Sequence, residues 1–99
     1  SAETKAFQPT PELTDLLVKS DHSNAYKALA NLYFDQGNYL YAALSYGQVV
    51  RLNPMLVEFR HRQGISYYLA GEWGHAAAAW EDMLHYAPNH PQAKMYLPQ

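Results

Sequence analysis

The stretch Tyr33–Tyr46 reads YFDQGNYLYAALSY, and the stretch Tyr67–Trp80 reads YYLAGEWGHAAAAW. Laid one over the other, they agree at both ends and at the middle. Tyr33 falls on Tyr67, Gly37 on Gly71, Ala42 and Ala43 on Ala76 and Ala77, and Tyr46 on Trp80. The offset is 34 residues, and it continues outward: Tyr39 falls on Trp73, Val49 and Val50 on Met83 and Leu84, and Pro54 on Pro88. Self-similarity at a fixed period of this size is the mark of a chain that builds one supersecondary unit more than once. The two units cover residues 23–56 and 57–90.

Each unit reads as a pair of helices. In the first, Ala25, Tyr26, Leu29, Ala30, Leu32 and Tyr33 recur at helical spacing. Gln36-Gly37-Asn38 then stops the helix, because glycine and asparagine suit a left-handed C-terminal cap. A second helix is predicted from Tyr39 to Leu52, ending where Asn53 precedes Pro54 and is pushed out of the helical region. The second unit follows the same plan: a helix from Met55 to Ala70, a Gly71-Glu72 turn, and a helix from Trp73 to Tyr86 before Ala87-Pro88-Asn89. Two flanking helices complete the all-α expectation. One spans 10–22, with Thr10 as N-cap, Pro11 at the first helical position, and Leu13, Leu16, Leu17 and Val18 as its apolar stripe. The other occupies 91–99, helical from Pro91 to Leu97 and broken at Pro98, as a cap or the start of a further helix. Residues 1–9 are expected to be extended or disordered.

The alanines have a packing reason. Two antiparallel helices joined by a tight turn approach closely only where their side chains are small. Ala30 and Gly64 hold the same place in the first helix of each unit, and Ala42 and Ala76 hold the facing place in the second. Tyr33, Tyr67, Tyr46 and Trp80 fill the space beside these contacts, and Trp73 is expected between helices on the same face as Trp80.

Composition narrows the function. The chain has 99 residues, enough for one domain, and 48% of them are apolar, enough for a core. Seven Lys and Arg against nine Asp and Glu leave a net charge of −2, which argues against a nucleic-acid-binding face. No cysteine is present, so disulfide and thiolate chemistry is excluded. No apolar run is long enough to span a bilayer, and no signal peptide is read in the opening residues.

The pattern resembles the tetratricopeptide repeat, a 34-residue helical pair with the signature W-x2-L-G-x2-Y, A-x3-F and P. Unit one reads Tyr26-x2-Leu29-Ala30-x2-Tyr33, Ala42-x3-Tyr46, Pro54; unit two reads Arg60-x2-Gln63-Gly64-x2-Tyr67, Ala76-x3-Trp80, Pro88. Arg60 and Gln63 depart from the pattern, standing where an aromatic and a leucine usually face the inside of the pair. Three readings stay open for them: snorkelling stems, a contact outside the repeat, or a tilted helix. The resemblance implies a right-handed solenoid of helical hairpins whose first helices line a concave groove. Family members are mostly interaction scaffolds that bind an extended or helical peptide there. On that pattern the groove holds Asn24, Lys27, Asn31 and Phe34 from unit one, with Ala28 and Asp35 beside them. Unit two contributes Glu58, His61, Arg62, Ile65 and Tyr68, with Leu69 beside them. Some members grip a peptide carboxylate with a lysine and an asparagine four residues on; Lys27 and Asn31 match that pair, and Arg62 stands where the next unit would supply an asparagine. The third repeat of that grip is absent, so it is incomplete here, and two readings stay open for Lys27, Asn31 and Arg62: they receive an acidic group of a protein or peptide ligand, or they form a solvated polar face.

No catalytic constellation is read from the residues, so the expectation is a non-enzymatic binding module without cofactor or metal. Glu81 and His85 share a helix face, but a carboxylate-bridged metal site would need matching sets on other helices. The alternatives are a self-assembling structural unit, because two repeats leave open ends to be covered, or a small secretion-type chaperone holding an export substrate. The compartment is not legible in the residues.

Overall fold

The computed structural model describes residues 10–96. The expectations for 1–9 and for Leu97 and Pro98 lie outside the described residues, as does the side chain of Leu13. The chain is all-helical, 82% helix with no strand among the described residues. Five helices follow in order: α1 Pro11–Asp35, α2 Tyr39–Leu52, α3 Val57–Leu69, α4 Trp73–Tyr86 and α5 Pro91–Tyr96. Packing runs chiefly along the chain, each helix against the next. No helix among the described residues is long and apolar enough to cross a membrane.

The turns form as their residues dictate. Gly37 and Gly71 take the left-handed conformation, with φ +76° and +80°. At the first turn the Asn38 N–H reaches the Tyr33 carbonyl at 2.8 Å and the Gly37 N–H reaches Phe34 at 3.0 Å. At the second, Glu72 reaches Tyr67 at 2.9 Å and Gly71 reaches Tyr68 at 3.0 Å. Both are Schellman caps, which satisfy carbonyls the helix end would otherwise strand. Asn53 and Ala87, each before a proline, leave the helical region, with φ −148° and −141°.

The helix expected from Met55 to Ala70 is shorter, Val57–Leu69, and one junction differs in kind. The predicted helix over 10–22 and the first helix of unit one are a single helix, α1, of 25 residues. No glycine or proline lies between Pro11 and Gly37, so nothing breaks the hydrogen-bond ladder where the repeat begins. Its first half runs past the end of α2, which has 14 residues.

The small residues sit where helices meet. Ala30 and Ala42 are fully buried together with Tyr46, with Tyr33, Phe34 and Phe59 packed around them. Ala76, Trp80, Met83 and Ala93 form the corresponding cluster at the other end, backed by Val57, Ile65, Tyr67 and Leu84. Ala93 is the part of α5 that reaches this core. Trp73 corrects the expectation for the aromatic pair. It is exposed, although Trp80 on the same face is buried. Trp73 opens α4 at the hairpin tip, where α3 has already ended, and Tyr68 meets it edge to face at 4.8 Å.

The 34-residue period reappears in space. Tyr26, Leu29 and Tyr33 of α1 and Tyr41, Leu44, Ser45 and Gln48 of α2 line a cleft on one side of the first hairpin. Arg60, Gln63, Tyr67, His75, Ala78, Ala79 and Asp82 line the same cleft on the second, each residue 34 places after its counterpart. The two copies differ in chemistry. In the second, Arg60 ion-pairs with Asp82 at 2.9 Å and donates to Gln63 at 2.8 Å. Gln63 is buried over Gly47, where a methyl group would stand 2.6 Å from its Nε2. The polar departures Arg60 and Gln63 thus form a brace between α3 and α4.

Candidate functional site

On the opposite side of the hairpins, α1 and α3 supply the walls of a groove and α2 and α4 its floor. The first pit, about 270 Å³, is lined by Asn31, Phe34, Tyr46, Arg62 and Ile65. The second, about 210 Å³, is lined by Ile65, Tyr68, Leu69 and Trp80. These pits are also one feature built twice. Asn31, Phe34 and Tyr46 stand 34 residues before Ile65, Tyr68 and Trp80. Ile65 borders both pits, so they are neighbours.

The first pit is largely apolar, like the second, with one internal hydrogen bond among its lining. The Tyr46 hydroxyl donates to Asn31 Oδ1 at 2.5 Å. Burial pushes the Tyr46 phenol above its ordinary value; Arg62 acts against that shift and Asp35 adds to it. The hydroxyl is therefore a neutral donor across the physiological range. The second pit is apolar and aromatic, with Tyr68 tilted against Trp80 at 6.2 Å between ring centroids.

Above the first pit stands a cationic pair. The Lys27 ammonium lies 4.8 Å from the centroid of the Phe59 ring, and the Arg62 guanidinium 5.2 Å from the same ring. Each cation is attracted by the ring's quadrupole. Arg62 also faces Glu58 one turn earlier, at 4.0 Å, with both side chains about half exposed. An ion pair this long and exposed leaves the guanidinium free to exchange partners.

Of the residues expected in the groove, Asn31, Phe34, Arg62, Ile65 and Tyr68 line the two pits. Lys27 and Glu58 line neither pit; Lys27 lies over the Phe59 ring and Glu58 faces Arg62. Asn24 lines a different cleft, shared with Lys27, Leu52 and Leu56, below the overhang of α1. His61 is not presented to a ligand. It is buried, and its Nδ1 accepts the Trp80 Nε1–H at 3.1 Å. Burial lowers its pKa below 6.5; His90 and Arg62 add to this and Glu58 opposes it. A neutral imidazole bound to the indole is a structural support under the second pit.

The sequence reading missed three contributors. Tyr46 and Trp80 were assigned to packing alone, yet they also floor the groove. A tyrosine hydroxyl at a buried position was the available signal, since it requires a partner. Phe59 occupies the place of Ala25 in unit one, so the repeat pattern carried no hint of it. Among the described residues no group of three His, Asp or Glu is placed to hold a metal ion. No family model and no curated protein matches the chain.

Proposed function

We propose that the chain is a two-unit tetratricopeptide-type solenoid that binds a peptide segment in the groove between α1 and α3, and that it acts by binding rather than by catalysis. The observation that carries this reading is the doubled pit. Its first copy combines Asn31, the Tyr46 hydroxyl and Arg62, and its second is walled by Ile65, Tyr68 and Trp80. A ligand that fits both presents an acidic group to the first and an apolar side chain to the second. Arg62 and Lys27 supply the charge for the acidic group. An aromatic-walled groove with few polar groups is the usual form of peptide recognition by helical surfaces. The groups at hand are donors and rings, with no base beside a nucleophile, which favours capture over chemistry.

Calorimetric titration tests this with two pools of short peptides. One combines leucine or phenylalanine with glutamate; the other carries glutamine in place of glutamate. The acidic pool is expected to bind, the neutral pool to bind at least tenfold more weakly, and Lys27→Glu with Arg62→Glu to abolish the difference. Equal binding of both pools, or none, rejects the reading.

A further inference from the structure

We propose that the His61–Trp80 hydrogen bond makes the second pit acid-sensitive: a proton taken up on His61 Nδ1 replaces an acceptor with a donor, frees the Trp80 indole and weakens the grip of the pit on an apolar side chain. The effect on a ligand rests on the peptide-binding reading of the groove. The starting observation is how differently the two floor rings are held. The Tyr46 hydroxyl donates to Asn31, an amide that takes up no proton in the physiological range. Trp80, 34 places further on, donates to His61 Nδ1 at 3.1 Å, and an imidazole does titrate in that range. The indole nitrogen is a donor only, so it cannot turn round and accept. Once both facing atoms carry hydrogens, the bond is gone and the two groups repel.

The surroundings offer such a proton little shelter. His61 is 4% exposed and Trp80 3%. The His90 ring lies 6.4 Å from the His61 ring, tilted by 38°, and its own Nδ1 is enclosed without a hydrogen-bond partner. Burial is the first cause that keeps His61 neutral; His90 and Arg62 work with it, and Glu58 works against it. Glu58 and Arg62 stand on α3 and His90 just ahead of α5; among the described residues no charged group of α2 or α4 belongs to that set. A charge buried here is relieved by moving toward water. The elements around it allow such movement. His90 leads into α5, a helix of only six residues, whose Ala93 packs in one cluster with Trp80 and Met83.

The direction in pH follows. His61 in the folded chain titrates below 6.5, so the second pit is intact above that value. Its grip is lost as the pH falls through the lower folded value. The first pit has no histidine in its lining and keeps its grip.

The test has two arms, both on the full chain, with circular dichroism verifying the helices at each pH. The first needs no ligand. Nitrogen-15 spectra follow the Trp80 indole N–H from pH 7.5 to pH 5. Its signal is expected to move with a midpoint below 6.5 in the wild type. It should stay fixed in His61→Asn, whose Oδ1 accepts throughout that range. The second arm titrates two acidic peptides, one carrying leucine or phenylalanine and the other alanine in that place. The affinity advantage of the apolar side chain is expected to shrink at least threefold between pH 7.5 and pH 5 in the wild type and to hold in His61→Asn. Titration of the peptide's own carboxylates cancels in this comparison. An indole signal that does not move, or that moves equally in His61→Asn, overturns the proposal. So does an apolar advantage that is the same at both pH values. Absence of binding by both peptides at pH 7.5 rejects the groove reading instead, and the ligand-free arm then decides the acid sensitivity alone.

Discussion

Gly64 and Trp80 are fitted to each other. A methyl group at Gly64 would stand 2.5 Å from Trp80 Nε1 and 2.7 Å from its Cε2, so the indole occupies the space a side chain would need. In the first unit the same two places hold Ala30 and Tyr46, a larger residue facing a smaller ring. The exchange keeps total volume nearly constant across the repeat. Gly64→Ala is expected to cost about 1–3 kcal/mol in urea unfolding, and less in a Trp80→Tyr background. Costs that simply add would show that the two places are independent. His61 carries the second prediction at this scale. Its lowered pKa means that the unfolded chain binds the extra proton first, near pH 6.5. Stability from this residue is complete above that value and is lost as the pH falls toward the lower folded value. Protonation would also put a hydrogen on Nδ1, the atom that accepts from Trp80. The wild type should therefore lose more melting temperature between pH 7.5 and pH 5 than His61→Asn; parallel losses would contradict this. Arg60 and Gln63 show where reading stopped. Their polarity was visible, but Asp82 lies 22 residues further on, and the space over Gly47 exists only in three dimensions.

At the scale of elements, the helix ends were legible and one junction was not. Gly37 and Gly71 were read as left-handed caps and both adopt that conformation. Pro54 and Pro88 stop α2 and α4 within a residue of where the sequence places the ends. These signals are local, set by backbone sterics at single residues. The junction at residue 22 was drawn from the repeat alignment, which describes similarity and not backbone continuity, and α1 runs through it. Helix pairing was legible through small residues, because burial of Ala30 and Ala42 follows from how close the axes come. Ala42→Leu and Ala76→Leu should each overpack a contact with no free space and cost about 1–3 kcal/mol. Leu in place of Ala78, which is exposed, should leave stability within about 0.5 kcal/mol. Thermal melts of the three variants decide this; equal effects would remove the packing argument.

For the whole molecule, the repeat organises both faces. One face carries the two clefts, braced in the second hairpin by the Arg60–Asp82 ion pair. The other carries the two pits, both largely apolar, with Asn31 and Arg62 lining the first alone. The order of helices and the walls of the groove were legible because they follow the period. Its floor was not, since Tyr46 and Trp80 reach it from the second helix of each pair, and Phe59 gathers Lys27 and Arg62 from a position with no counterpart in unit one. The measurement that tests the account most directly is a nitrogen-15 nuclear magnetic resonance titration of the chain with the acidic, apolar peptide pool. The account predicts shifts concentrated at Asn31, Phe34, Arg62, Ile65 and Tyr68, and their loss in Arg62→Glu. Shifts centred on Arg60, His75 and Asp82 instead, or none at millimolar peptide, would contradict it.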